Sequence, residues 1–271
     1  MTVINTNVQS LIAKNALTVN NRSMAKVMNQ LSTGSRINSA GDDAAGLAVS
    51  QSMTSQIRSL NQAVRNANDG VSIAQTAEGA MIEISNMLQR MRELTVQAAS
   101  GQLSDTQRGY LNSEFTALRT QITNTISDTL WNQQSVLSGS ASTTFTIQVG
   151  MNSGDSVDVT INSLDITDYA DASIGAATSA ADSLEMVDSG LESVNSARAS
   201  LGAVISQLTS AADNMSNVAQ NTTESRSRIL DTDYASATTE LARTQIIQQA
   251  GTAILAQANQ IKSSVLALLK G

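Results

Sequence analysis

The 271-residue chain contains no cysteine, no histidine and no proline. Without cysteine there is no disulfide, no thiolate metal site and no thiol nucleophile. Without histidine the commonest general base and the commonest metal ligand are both missing. Aromatic residues are almost as scarce: Tyr110, Phe115, Trp131, Phe145, Tyr169 and Tyr234 are all there are. Burial must therefore come from many Ala, Leu, Ile, Val and Met contacts, which suits long packed helices better than a compact aromatic core. A net charge of −7 argues against a nucleic-acid partner. No apolar run approaches the roughly 18 residues of a membrane span, so no membrane insertion is expected. The start of the chain has no basic leader followed by an apolar block, so no cleavable secretory signal is expected.

What the chain does have is a four-three apolar rhythm. Between residues 57 and 95 one seam reads Ile57, Leu60, Val64, Ala67, Val71, Ala74, Met81, Leu88, and a second begins inside it with Ile73, Ala77, Ala80, Ile84, Met87, Met91, Leu94, Ala98. Residues 73 and 74 lie about 100° apart on a helix, so one helix offers two apolar faces to two partners. That predicts a bundle rather than a two-stranded coil. A helix over about 43–99 would be roughly 85 Å long, too long for a globule and suited to a rod. Ser104 with Gln107 three residues on is a capping box for a second helix, about 104–128, with its stripe at Leu111, Phe115, Leu118, Ile122 and Ile126. The seam returns from about 172 to 220, with Arg198 as its one charged member.

Between these helices the period falls to two. Phe145, Ile147 and Val149 alternate in "TTFTIQVG", and Val157, Val159 and Ile161 in "DSVDVTIN", around the turn-forming "GMNSGD". This predicts a β-hairpin over about 143–162.

The two ends are seamed yet poor in charge. Residues 1–21 carry Lys14 alone, and residues 245–271 carry Lys262 and Lys270. Leu17, Met24 and Leu31 lie seven apart at the front, and Ile247, Ile254, Ala258, Ile261, Val265 and Leu268 keep the rhythm at the back. Helices with so little charged face are marginal alone and stable when buried among copies of themselves. These ends are expected to be disordered until assembled.

Few residues offer chemistry. Asp42 and Asp43 are adjacent, so they point about 100° apart and cannot clamp one ion without other ligands. Ser39 with Asp42 reads instead as a capping pattern at a helix start, where acids suit the dipole. Arg90, Arg92 and Glu93 in "RMRELTVQ" read by default as a solvated helix face. Arg90 and Leu94 share a face, which leaves a binding edge open. The Ser/Thr cluster "SGSASTTFT", 138–146, has one glycine and no lysine and is a poor phosphate loop. No catalytic, cofactor-binding or metal residue is expected. A membrane-active amphipathic protein would need basic helix faces that the ends lack.

The stretches "LSTGSRINSAGDDAAGLAVS", "RNANDGVSIAQTAEGAM", "LQRMRELTVQAAS", "ILDTDYASATTELARTQIIQQAGTAILAQANQ" and the closing "VLALL" resemble bacterial flagellin in wording, order and placement at the two ends. The resemblance implies a mainly α fold, a long antiparallel helical bundle or coiled-coil rod with a small β-hairpin. Residues 1–42 and 222–271 would form an inner terminal coiled coil, and 43–221 an outer rod domain. The short middle implies that the large outer domains of longer flagellins, some of which carry a metalloprotease, are absent. It implies an exported, non-enzymatic, extracellular subunit that polymerises into the helical filament for swimming. A hook–filament junction protein of the same superfamily is the alternative. Implied partners are further copies of the chain, the flagellar cap protein, a hook–filament junction protein, the export apparatus, a secretion chaperone and a host Toll-like receptor. Self-assembly would rest on Leu17, Met24, Leu31, Ile247, Ile254, Ile261, Val265 and Leu268. Recognition by the host receptor, on a face also used for assembly, would rest on Gln89, Arg90, Leu94 and Glu114. Three positions depart from the family pattern: Lys262 where proline is common, "TLWNQQ" where a Phe-Asn-Gly turn is common, and Ser35 where an apolar residue is usual.

Overall fold

The computed structural model describes residues 6–137, 142–162 and 172–270, with no side-chain description at 177 or 261–270. Among the described residues there are five helices: α1 Val8–Thr33, α2 Ala44–Ala98, α3 Asp105–Asp128, α4 Ala177–Leu230 and α5 Tyr234–Lys270. The described residues between α3 and α4 form the strands β1 Leu130–Trp131, β2 Gln134–Ser135, β3 Thr143–Gln148 and β4 Ser156–Ile161. The chain divides into two compact units, Met1–Ser55 with Asn221–Gly271, and Gln56–Gln220.

The central unit owes its core to the double seam of α2. Leu60, Ala67, Ala74, Met81 and Leu88 from one seam are buried, as are Ile73, Ala77, Ile84, Met91, Leu94 and Ala98 from the other. They pack in one cluster with Phe115, Ile122 and Ile126 of α3 and Val187, Val194, Leu201 and Leu208 of α4. Phe115, fully buried, is the largest side chain in it. α4 runs antiparallel to α2, as two ion pairs show: Arg92 meets Asp188 and Glu78 meets Arg198, while Arg90 of α2 meets Glu114 of α3.

The α2–α3 turn is closed from inside. Arg108 is buried and donates to the carbonyls of Ala98, Ser100 and Leu103, so its cation meets the carbonyl-rich end of α2. Ser104 and Gln107 make the capping box of α3. At the other end of the loop region, Asn112 Oδ1 accepts from the Ile174 N–H at 2.9 Å and the Ser173 hydroxyl at 3.1 Å, pinning the approach to α4.

The β3–β4 hairpin pairs Thr143 with Ile161, Phe145 with Val159 and Ile147 with Val157. One face thus carries the apolar residues of both strands, and Val157, Val159 and Ile161 are buried against the helices. "TLWNQQ" folds into a second, smaller hairpin. Leu130 pairs with Ser135 and Trp131 with Gln134 around Asn132 and Gln133, whose φ values are 47° and 66°. Two left-handed residues in a two-residue loop are the signature of a type I′ turn. Asparagine tolerates that geometry and glutamine is strained in it. The Ser/Thr cluster is described only from residue 142 onward; residues 138–141 lie outside the described residues.

In the terminal unit, Gly34 ends α1 in the left-handed conformation, φ 69°, at no Cβ cost. Ser35 then forms an antiparallel bridge with Asp231. Arg36 N–H donates to the Leu230 carbonyl at 2.6 Å and Thr232 N–H to the Gly34 carbonyl at 3.0 Å. The cap of α2 is Asp43 rather than the Ser39–Asp42 pattern. Asp43 Oδ1 accepts from the Gly46 N–H at 2.9 Å, and its carbonyl accepts from Leu47 N–H. Asp42 closes the preceding turn, accepting from the N–H groups of Asn38 and Ser39 and from the Ser39 hydroxyl, and it pairs with Lys26 of α1 at 3.0 Å. The hydrogen bond from Lys26, then that from Ser39, holds its carboxyl below the ordinary range.

α4 runs to Leu230, past the end near 220 expected from the seam. Its last turns carry few apolar residues and are held by polar contacts instead. Arg226 donates to the Thr54 hydroxyl at 3.2 Å, and the Ile229 carbonyl accepts from Arg36 at 2.6 Å. α5 continues through Lys262 without interruption.

Candidate functional site

α1 and α5 pack against each other in antiparallel fashion. Asn7 caps α1, accepting from Ser10 N–H, and donates from Nδ2 to the Ala258 carbonyl at 3.1 Å. Further along, Leu17 lies against Gly251, where an added Cβ would come within 2.7 Å of Leu17 Cδ2. Asn20 Nδ2 donates to the Thr244 carbonyl at 2.8 Å and to Gln248 Oε1 at 3.3 Å. The contacts step down α5 as they step up α1.

Leu17, Met24 and Leu31 lie half-buried in α1, and Val27 is buried. On α5, Ala237 and Thr244 are buried, and Gln248, Gly251, Leu255 and Ala258 are half-buried on the same four-three spacing. Ile247 and Ile254 do not belong to this seam. Each precedes a seam residue and so points about 100° away from it, with 41% and 61% of its surface exposed. Ile246 is 66% exposed beside them. On α1, Val8, Ile12 and Val19 fall on a second stripe at spacings of four and seven, with 48%, 61% and 58% exposed. The single chain thus uses one apolar stripe of each terminal helix and leaves another open to water. Aligned exposed apolar residues on two charge-poor helices make these stripes the candidate interaction faces. The side chains of Ile261, Val265 and Leu268 lie outside the described residues.

The second candidate face lies on the central unit. Arg90 Nε meets Glu114 Oε1 at 2.9 Å and Arg90 Nη1 meets Glu93 Oε2 at 2.8 Å, with all three side chains about half exposed or more. Glu114, then Glu93, pushes the Arg90 guanidinium still higher than its ordinary value, so it stays charged at any working pH. Arg92 is raised in the same way by Asp188. Gln89 is exposed one residue before. Leu94 departs from the expected arrangement. A residue on a binding edge would be accessible, yet only 1% of its surface is exposed. The Arg108-closed turn and Phe115 continue the core past it, so Leu94 is packing and the accessible face consists of Gln89, Arg90 and Glu114. Sequence reasoning missed Arg108 itself and the outward stripe of α1.

Fold and site together define a helical association protein: its chemistry is helix-on-helix burial, and no helix of the described residues is long and apolar enough to cross a membrane. Residues 4–142 match the family model of the bacterial flagellin N-terminal helical region, and residues 184–269 that of the C-terminal helical region. The chain belongs to the bacterial flagellin family. It is 40% identical to a flagellin of Halalkalibacterium halodurans over 99% of this chain and 100% of the relative. It is 37% identical to the flagellar filament 33 kDa core protein of Treponema phagedenis, again over 99% and 100%. Among solved structures, Bacillus cereus flagellin matches 56% of this chain and 88% of its own, at 27% identity and a TM-score of 0.52. A putative flagellar hook-associated protein of Vibrio parahaemolyticus matches 70% of this chain with a TM-score of 0.58, but its 16% identity shows a shared fold alone.

Proposed function

We infer that the chain is the subunit of a bacterial flagellar filament, polymerising through its terminal helices. The observation that carries the reading is the pair of unused apolar stripes, Val8, Ile12 and Val19 on α1 and Ile246, Ile247 and Ile254 on α5, in a chain whose relatives are flagellins along their whole length. A second copy of the same unit supplies a matching apolar face, and its burial offsets the cost of ordering charge-poor ends. Ile261, Val265 and Leu268 extend the α5 contribution. The chain performs no chemical step. It leaves the cell through the flagellar export apparatus, with a secretion chaperone shielding α5, and adds to the filament at its distal end beneath the cap protein. A hook–filament junction protein joins the filament to its base.

In this reading Gln89, Arg90 and Glu114 form the face that a host Toll-like receptor meets on released monomer, and the same face packs between subunits in the filament. The exposed, two-carboxylate ion pair at Arg90 supports it as a polar recognition edge. Addition of sheared filament fragments to the purified chain, followed by negative-stain electron microscopy and sedimentation, tests the filament assignment. Long filaments of uniform width are expected, and a chain that stays monomeric under seeding overturns it.

A further inference from the structure

The α1–α5 seam repeats in sevens, and its buried centre is half polar. Asn20 and Val27 occupy one heptad position of α1, and Ala237 and Thr244 the facing position of α5. These four are the buried side chains among those described in the two helices. Asn20 bonds the Thr244 carbonyl and Gln248 Oε1, while the Thr244 hydroxyl donates to the carbonyls of Glu240 and Leu241, each at 2.9 Å. The Asn20 amide and the Thr244 hydroxyl both donate within the layer. An asparagine at such a position nonetheless forfeits the stabilisation an apolar side chain would give.

In coiled coils that loss commonly serves register. Here register is already set at the base of the pair, by the Ser35–Asp231 bridge and the backbone bonds of Arg36 and Thr232. What the layer still controls is strength. We propose that the Asn20–Thr244–Gln248 layer is a brake on the terminal helices. It holds the α1–α5 pair below the stability needed to order alone, so that ordering waits for the apolar face of a neighbouring copy. The inference rests on the filament reading and names what times it.

The test uses full-length monomer and three forms: the natural chain, Asn20→Leu and Asn20→Asp. Trypsin cleavage at Arg22 and Arg243, both exposed on the terminal helices, reports how often the pair opens. Cleavage at Arg65, in the central unit, is the internal control. Because the natural pair is open at least half the time in this proposal, a roughly tenfold gain in its folding constant should slow cleavage at Arg22 by up to about fivefold in Asn20→Leu. Asn20→Asp should quicken it by up to about twofold, with Arg65 unchanged in both. The lag before unseeded polymerisation should shorten for leucine and lengthen for aspartate. Should Asn20→Leu polymerise before monomer can be isolated, Asn20→Asp decides. Equal rates at Arg22 across the series, or a natural monomer already resistant there, overturns the proposal. Failure of all three chains to polymerise under seeding would instead refute the filament reading, while the order of the cleavage rates would still report on the layer.

Discussion

Replacing Ile254 separates assembly from folding. In the single chain 61% of its surface is exposed, so a polar side chain there costs the monomer little. Fully burying an isoleucine side chain is worth about 1.5–3 kcal/mol, and the exposed share gives about 1–2 kcal/mol still to be gained when a neighbouring copy covers it. Ile254→Ala forfeits most of that. At about 1.4 kcal/mol per tenfold, its critical concentration should rise roughly five- to thirtyfold. Ile254→Asp adds the burial of an unpaired carboxylate, on the order of several kcal/mol, which carries the rise beyond about a thousandfold and leaves a soluble, monomeric protein. Sedimentation over a concentration series measures both. The central unit, which Ile254 does not belong to, should keep the same urea midpoint in all three chains. An aspartate variant with the natural critical concentration would refute the assignment of this stripe to subunit contacts. A central unit that loses stability in step would show that the effect arises in folding.

Four further outcomes are expected. Phe115→Ala empties the largest fully buried site of the central unit and should lower its unfolding free energy by about 3–5 kcal/mol, read by denaturant titration. Gly251→Ala places a Cβ 2.7 Å from Leu17 and should weaken polymerisation, with Leu17→Ala restoring it; a silent Gly251→Ala would contradict the close approach. The lowered Asp42 carboxyl contributes stability that is full above the unfolded value of about 3.9 and is lost as pH falls through its folded value. In polymer, where α1 is ordered, the gap in urea midpoint between the natural chain and Asp42→Asn should therefore be constant at neutral pH and shrink only in acid. Arg90→Ala and Glu114→Ala should each weaken receptor signalling by monomer in reporter cells, and crosslinked filament should be less active than monomer. Leu94→Ala, acting in the core, should lower central-unit stability as well.

The parts of the fold that were legible in the sequence are those where spacing maps onto one outcome. The double seam of α2 predicts burial on two sides, and both sides are buried. Strict alternation at 145–149 and 157–161 predicts one apolar hairpin face, and Phe145 and Val159 pair on it. Where several structures share one spacing, the sequence misleads. Ile247 and Ile254 keep a heptad, but so do Thr244 and Gly251, and only packing decides which stripe meets α1. The last turns of α4 carry almost no seam and are held by Arg226 and by the backbone around Arg36, contacts between residues far apart in the chain. The β1–β2 hairpin has no glycine to announce it, since Asn132 and Gln133 take the left-handed positions. Leu94 shares a face with Arg90 in the sequence and so reads as part of a binding edge, whereas the Arg108 clamp that keeps the core going past it lies beyond a turn.

The central claim is that assembly covers the outward stripes of α1 and α5. Hydrogen–deuterium exchange on monomer and on polymer of the same chain tests it most directly. The account predicts that the amides of 8–33 and 234–260 exchange quickly in monomer and become strongly protected in polymer, while 60–98 and 180–215 are protected in both. Polymer in which the terminal helices exchange as fast as in monomer, with new protection confined to the central unit, would contradict it.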